Sequence, residues 1–151
     1  MSAQPSIATL VAAGGAKIPA TTVVRNGQLV NVVSAEIYPA DVAIFENTVV
    51  AIGDVTPYFG DETIEIDAGS RYLVPGLFDG HQHLECSKLS ITSIAKMLVP
   101  LGTTNVVSGL DQILVVNGLA GAEAFLRESQ QTPLRVFWGA PCKTPYTLPT
   151  S

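Results

Sequence analysis

The sequence is poor in residues that commonly carry enzyme chemistry. Its 151 residues include only two histidines and two cysteines. Cys86 and Cys142 are far apart and form no CxxC pair, so we expect no disulfide framework and a reducing compartment. Lysine and arginine total 8 against 13 acidic residues, a formal net charge of -5. No basic cluster is present, so nucleic acid is not expected as a partner.

Long apolar runs are also missing. No run reaches the roughly 18 residues that a membrane span requires, so no membrane partner is expected. The stretch 7–16 is apolar, but no basic residue precedes it and it is rich in glycine and alanine. It is therefore not typical of a signal peptide, and we expect a cytoplasmic protein. The remaining composition, 47% hydrophobic and 14% charged, is typical of a folded domain with a real core.

Short strand-like segments occupy the first part of the chain. Two apolar runs flank Asn26-Gly27, a pair typical of a hairpin turn. A second hairpin is predicted around Glu46-Asn47, and the alternating stretch 62–68 adds another strand. Gly69-Ser70 ends this region. The pattern over 1–70 predicts a small antiparallel sheet.

Strand-like and helix-like segments alternate after residue 71. Ser90 is a possible N-cap, and Gly102 lies beyond the end of the helix that Ser90 would begin. The β-α-β-α-β order predicts parallel strands with helical crossovers, as in an α/β sheet or barrel. The predicted elements are a strand over 72–80, a helix over 90–102, a strand over 103–109, a helix over 117–131 and a strand over 134–140.

Both histidines lie where the first of these strands ends. Residues two apart on an extended segment face the same side, so His81 and His83 can present both imidazoles to one ion such as Zn²⁺, Fe²⁺ or Mn²⁺. Two histidines on a solvated loop are the simpler alternative. The preceding apolar strand, Pro-Gly and Asp-Gly favour a metal site. Ligands of parallel α/β proteins bind at the carboxyl ends of strands, so residues 108–111 and 141–146 are expected to converge there.

Four further side chains near the strand ends are candidates for this site. Asp79 can orient a histidine or cap the turn before Gly80. Glu85 can contact substrate or a metal-binding side chain, the alternative being a solvated loop acid. Cys86 is a soft potential ligand, although a small buried packing residue is favoured. Asp111 is a weaker candidate, with a solvated strand-end acid as the alternative.

These motifs resemble the amidohydrolase superfamily, and within it most closely the adenine deaminases. The stretch 66–90 carries a strand followed by the HxH motif, close to the adenine deaminase form PGFIDGHVHIESS. Residues 23–54 are similar to the N-terminal β-sandwich segment of those enzymes. Residues 98–107 and 133–147 resemble their second and third barrel strands.

The resemblance implies a TIM-like (β/α)8 barrel with a small β-sandwich domain. The predicted domains are therefore a β-sandwich segment over 1–70 and the start of the barrel over 71–151. The resemblance further implies one or two divalent metal ions (zinc, iron or manganese), with His81 and His83 as the first two ligands. The implied activity is hydrolysis of a C–N bond by activated water at an amidine or amide carbon.

Two features depart from the family pattern. The DPHE-like stretch of adenine deaminases reads SGLDQ at 108–112, with Asp111-Gln112 in place of its His-Glu pair. A cyclic amide or another amide is therefore an alternative substrate. A TIM barrel typically needs about 250 residues, and only three strand–helix units fit here. In the family the general base and later ligands come from later strands, so they are expected outside this chain. Lys143 is more typical of a loop than of the family's bridging lysine, which belongs to the fourth strand.

Three strand–helix units alone would leave apolar sheet edges and helix faces uncovered. We therefore expect a second polypeptide, separately encoded or released by cleavage, to supply the remaining strands and ligands in a hetero-oligomer. A non-catalytic structural subunit or fragment is the alternative from another class. A small metal-binding module acting alone is a third possibility.

Overall fold

The computed structural model describes residues 5–140. Within these residues, 5–75 and 76–140 form two compact units, each with its own sheet. The division lies between Pro75 and Gly76, whereas the sequence pattern placed it between residues 70 and 71. Within the described residues, no helix is both long and apolar enough to cross a membrane.

The first unit is a five-stranded sheet that a short helix precedes. Strand β1 is central: it pairs antiparallel with β2, which pairs antiparallel with β3, and it pairs parallel with β4 and β5 on its other side. The sheet is therefore mixed, and the purely antiparallel prediction is wrong. The elements are α1 (Ile7–Gly14), β1 (Thr22–Asn31), β2 (Glu36–Phe45), β3 (Thr48–Gly53), β4 (Ile64–Asp67) and β5 (Tyr72–Leu73).

The hairpin predicted at Asn26-Gly27 is wrong, because β1 runs through this pair without reversing. Asn26 adopts a left-handed φ of 58°, but the register shift there makes it a bulge. The bulge is held from both sides: the Asn26 amide donates to Asp41 Oδ1 at 2.8 Å, and its side chain donates to Asp67 Oδ1 at 3.0 Å. The second hairpin is confirmed, since Phe45 pairs with Thr48 across Glu46-Asn47.

The second unit is a three-stranded parallel sheet in the order β6-β7-β8, with helices in both crossovers. The predicted β-α-β-α-β order and parallel pairing are confirmed. Any helix after the third strand lies outside the described residues. The elements are β6 (Leu77–Gln82), α2 (Ile91–Leu98), β7 (Thr103–Ser108), α3 (Asp111–Ser129) and β8 (Arg135–Trp138).

The strand predicted over 72–80 is two strands in two different sheets. Tyr72–Leu73 pairs with β1 as β5, and Leu77–Gln82 forms β6. Pro75 lies in the break, where its missing N–H removes one ladder donor. The prediction that this apolar run is extended is confirmed, but the run forms two strands and not one.

Helix α2 begins as predicted, but it ends at Leu98, before the predicted end of the helix near Gly102. Ser90 Oγ accepts from the Ser93 amide at 3.1 Å, and a 3₁₀ turn over Val99–Leu101 leads into Gly102 with φ 98°. Helix α3 begins at Asp111, before the predicted residue 117, and Gly118 interrupts it with φ 59° and ψ −157°. The core between these helices and the sheet consists of Leu84, Ile91, Ile94, Ala95, Val106 and Leu134.

Candidate metal centre

The carboxyl ends of β6 and β7 bring the candidate residues together. The two strands pair in parallel, and their last residues, Gln82 and Ser108, are register partners. His83 follows β6 directly and leads into a 3₁₀ turn over Leu84–Ser87. Asp111 begins α3 three residues beyond β7. This is the edge of a parallel sheet at which ligands bind.

The two histidines are neighbours in space. His81 lies within β6 and His83 just beyond it, and their ring centroids are 5.0 Å apart with the planes at 85°. The His83 side chain is 40% exposed. Joint binding of one ion by the pair stays a prediction.

Glu85 is a buried carboxylate with two partners. Its side chain is 1% exposed, and Oε1 lies 3.0 Å from His83 Nδ1. Ser108 Oγ donates to its other oxygen, Oε2, at 3.3 Å. A buried carboxylate needs such partners, because an unpaired one would pay a large desolvation cost. The alternative of a solvated loop acid therefore does not describe Glu85.

Cys86 is exposed, so the favoured interpretation as a buried packing residue is wrong. The ligand-type atoms of His83, Glu85 and Cys86 all lie within 4.8 Å of one another. His81 is not among these three. The nitrogen, oxygen and sulfur donors are the set from which zinc sites are built. The residues present therefore fit a divalent metal.

The two acids of the strand ends have different surroundings. Asp79 Oδ1 accepts from the His81 amide at 3.1 Å, which supports the turn-capping alternative. Asp111 lies against Gly109: a Cβ there would be 2.7 Å from Asp111 Oδ2 and 3.8 Å from the His83 ring. The structure therefore brings Asp111 to the same strand end as His83.

Ser108 is the residue that sequence reasoning missed. The sequence pattern marks Ser108 only as a strand end, yet the residue is 1% exposed and its Oγ accepts a hydrogen bond from the Leu84 amide at 3.1 Å. The available signal was a serine after the β-branched run Val106-Val107, where a buried hydroxyl needs partners. The third strand end reaches this edge through Gly139, whose amide donates to Ser108 O at 2.8 Å. Residues 141–146, with Cys142 and Lys143, lie outside the described residues.

Comparison with known proteins identifies relatives for nearly the whole chain. No family model matches it. It is 61% identical over 140 residues to adenine deaminase 4 of Rhizobium meliloti (strain 1021). The matched stretch covers 93% of this chain and 23% of that protein. The chain thus spans about a quarter of the length of this curated relative. The resemblance to the N-terminal portion of adenine deaminases, first indicated by the sequence motifs, is confirmed.

Solved structures agree in fold. A crystal structure of an adenine deaminase matches with a TM-score of 0.54 and 24% identity, over 80% of this chain and 30% of that one. N-acyl-D-glutamate deacylase from Bordetella bronchiseptica, complexed with zinc and a phosphonate inhibitor, matches with a TM-score of 0.52 and 21% identity over 60% of this chain and 19% of that one. At these identities the likeness shows the fold alone.

Proposed function

We propose that this chain, whose sequence corresponds to the N-terminal quarter of adenine deaminases of the amidohydrolase superfamily, contributes the first metal-binding strand of a metal-dependent hydrolase of C–N bonds. The observation that carries the proposal is the grouping of His81, His83 and buried Glu85 at the carboxyl end of β6. Such a grouping is chemically suited to one or two divalent ions. N-acyl-D-glutamate deacylase, whose fold this chain shares in part, was solved with zinc.

The residues of the chain take distinct roles in this proposal. His81 and His83 would hold the metal, and Cys86 is close enough to His83 to act as a further donor. A bound divalent ion would supply Lewis-acid activation of water for attack on an amidine or amide carbon. Glu85 contacts a metal-binding side chain, and Asp111 faces the same strand end, where it can contact substrate. The general base is assigned to sequence outside this chain.

The substrate proposed first is an aminopurine such as adenine, because the relative with 61% identity is an adenine deaminase. The stretch 108–112 favours a second candidate, a cyclic amide or other amide. Asp111-Gln112 replaces the His-Glu pair of the DPHE-like stretch, so the chain offers an acid and an amide at these positions in place of an imidazole and an acid.

Activity is proposed to need further strands, carried by another polypeptide or by further sequence. The second unit has three parallel strands among the described residues, and large apolar side chains on its strands and helices are exposed. These side chains include Leu77, Phe78, Leu101, Val116 and Leu119. Additional strands and helices would cover them. A non-catalytic structural subunit would need the same cover, so bound metal is what separates the two hypotheses.

The test is metal content and deamination in the protein as purified from its source, with any polypeptide that copurifies. We expect the wild type to contain bound divalent metal and the variants His81→Ala and His83→Ala to lose it. The hydrolysis rate of both variants should fall by roughly a hundred-fold or more, because a catalytic ion supplies several kcal/mol of charge stabilisation. Lys96→Ala, an exposed position on α2, is the control. Unchanged metal content and activity in both histidine variants would contradict the proposal. Hydrolysis of cyclic amides with no deamination of adenine would select the second substrate class.

A further inference from the structure

We propose that Ser108 is a positioning residue, which acts through Glu85 to fix the proton of His83 on Nδ1 and so leaves Nε2 as the free donor nitrogen. This inference rests on the proposed function for its metal, but its structural part concerns the metal-free chain. The three side chains form one hydrogen-bonded series, Ser108–Glu85–His83, across the ends of β6 and β7.

The first step concerns the Ser108 hydroxyl, which has both an incoming and an outgoing bond. The Leu84 amide donates to Oγ at 3.1 Å, so one lone pair of the oxygen is used. The hydroxyl hydrogen has two acceptors in reach, Glu85 Oε2 at 3.3 Å and Gly109 O at 3.4 Å. A charged acceptor forms the stronger hydrogen bond, which favours Glu85.

The second step concerns the Glu85 carboxylate. Its side chain is 1% exposed, so water cannot substitute for lost protein partners. Each of its oxygens has one partner: Oε2 accepts from Ser108, and Oε1 lies 3.0 Å from His83 Nδ1. Fixing Oε2 removes the freedom of the carboxylate to rotate. The serine thereby determines where Oε1 points.

The third step concerns the histidine tautomer. An ionised carboxylate can only accept a hydrogen bond, so His83 Nδ1 must be the donor. In a neutral imidazole with hydrogen on Nδ1, the lone pair is on Nε2. A carboxylate on the other ring nitrogen fixes the orientation of a metal-binding histidine and raises its basicity. Ser108 supplies the anchor for that carboxylate.

The geometry also explains why the anchor is on β7. Ser108 is the register partner of Gln82, the last residue of β6. Its hydroxyl oxygen accepts a hydrogen bond from the amide of Leu84, two residues beyond the end of that strand. The side chain thus continues the contact between the strands by two residues. His83 and Glu85 are the two neighbours of Leu84 in the sequence.

The experiment compares Ser108→Ala with Val106→Ala in the protein as purified, with any polypeptide that copurifies. Val106 is fully buried on the same strand, so its truncation is a control for general loss of packing. Imidazole ¹⁵N shifts of the metal-free protein report the His83 tautomer, assigned by difference from His83→Asn. Zn²⁺ affinity is measured by competition with a chromophoric chelator.

We expect the Nδ1–H tautomer to dominate in the wild type and in Val106→Ala, and to give way to a mixture in Ser108→Ala. Zn²⁺ binding should weaken roughly ten- to a hundred-fold in Ser108→Ala, the usual effect of losing an outer partner of a ligand. Ser108→Thr, which keeps the hydroxyl, should restore both values. If Ser108→Ala does not fold, Glu85→Gln carries the test, because its amide can donate to Nδ1 and abolish the tautomer preference.

The two proposals fail separately. A Ser108→Ala variant that matches Val106→Ala in both tautomer and Zn²⁺ affinity would overturn the positioning role. A wild type that binds Zn²⁺ with His83 Nδ1 unprotonated would also overturn the positioning role, although the proposed function would then stand. A wild type with the Nδ1–H tautomer that is lost in Ser108→Ala, but without Zn²⁺ binding, would support the hydrogen-bonded series and contradict the metal-dependent function.

Discussion

At the scale of single residues, Gly109 permits the close approach of the Asp111 carboxylate to the backbone at position 109. A Cβ at position 109 would lie 2.7 Å from Asp111 Oδ2, closer than real Cβ contacts allow, and 3.8 Å from the His83 ring. The obstructed atom is the end of a flexible side chain, so the carboxylate can move at little cost in stability. Gly109 thus determines the position of Asp111 more than it determines the fold.

We therefore predict that Gly109→Ala separates function from stability. The free energy of unfolding should change by less than about 1 kcal/mol, because the lost chain freedom of glycine offsets the displaced carboxylate. The catalytic efficiency should fall toward that of Asp111→Asn. Chemical denaturation and steady-state kinetics with adenine measure the two quantities.

Gly139→Ala is the matched control, since a Cβ there meets Ser108 O at an ordinary 3.7 Å. It should leave both quantities near the wild-type values. Gly109→Ala with full activity would show that the position of Asp111 is immaterial to the reaction.

The sequence predicted the proximity of His81 and His83, because residues two apart on an extended strand face the same side. Their rings are indeed neighbours, while their role as metal ligands stays a prediction. The partners of Glu85 could not be predicted, because Ser108 is 23 positions away and its contact depends on the β6–β7 register. The exposure of Cys86 depends in the same way on packing that no local pattern records.

At the scale of elements, Glu128 ties the end of α3 to the beginning of α2. Its Oε1 accepts from the Thr92 amide at 2.9 Å, one of the free amides of the first turn of α2. Partial burial raises the pKa of Glu128, but hydrogen bonds from Thr92, the Ile91 amide and the Ser90 hydroxyl outweigh it. The pKa therefore lies below its usual value of 4.5.

A lowered pKa in the folded state means that ionised Glu128 stabilises the fold above the unfolded-state value. This contribution is lost as pH falls through the folded-state pKa. We predict that Glu128→Gln lowers the free energy of unfolding by about 0.5–1.5 kcal/mol at neutral pH. The difference from the wild type should shrink once pH falls below the usual value of 4.5. Denaturant titrations over this range measure it.

Glu123→Gln on the same helix is the control, because Glu123 is exposed and, within residues 5–140, pairs with Arg127 alone, at 3.5 Å. Its effect should stay within about 0.5 kcal/mol at every pH. A constant Glu128→Gln effect from neutral to acid pH would contradict the assignment to the ionised carboxylate.

The elements themselves divide into those with local and those with long-range determinants. Helix α2 was predicted because Ser90 and Gly102 mark its beginning and the turn that follows it within the sequence. The strand 72–80 was not resolved into β5 and β6, because its two halves are specified by different pairing partners. Asn26-Gly27 became a bulge because Asp41 and Asp67 hold it from other strands.

At the scale of the whole molecule, the exposed apolar side chains of the second unit have a measurable effect. Val116 and Leu119 flank the interruption of α3 at Gly118 and are 82% and 75% exposed. Exposed apolar surface of this kind promotes association. We predict that the 151-residue chain prepared alone self-associates, and that Val116→Lys with Leu119→Lys shifts it toward the monomer.

Sedimentation velocity over a range of concentrations measures this association. The same double variant should recover less activity than the wild type when the proposed second polypeptide is added. A wild-type chain that remains monomeric at all concentrations would contradict the prediction and, with it, the need for covering strands.

The bond from the Leu84 amide to Ser108 Oγ has a consequence for how the protein can evolve. It fastens the turn over Leu84–Ser87 to β7, so the histidine and carboxylate inherit the rigidity of the sheet. Lys88, which follows this turn, adopts a left-handed φ of 60° and separates it from α2. Insertions between Lys88 and Ser90 can therefore be accommodated with little movement of His83 or Glu85, whereas Ile91 beyond them packs in the same core as Leu84. Variation among descendants of this chain is expected to concentrate at this short junction, while the arrangement of the strand end is retained.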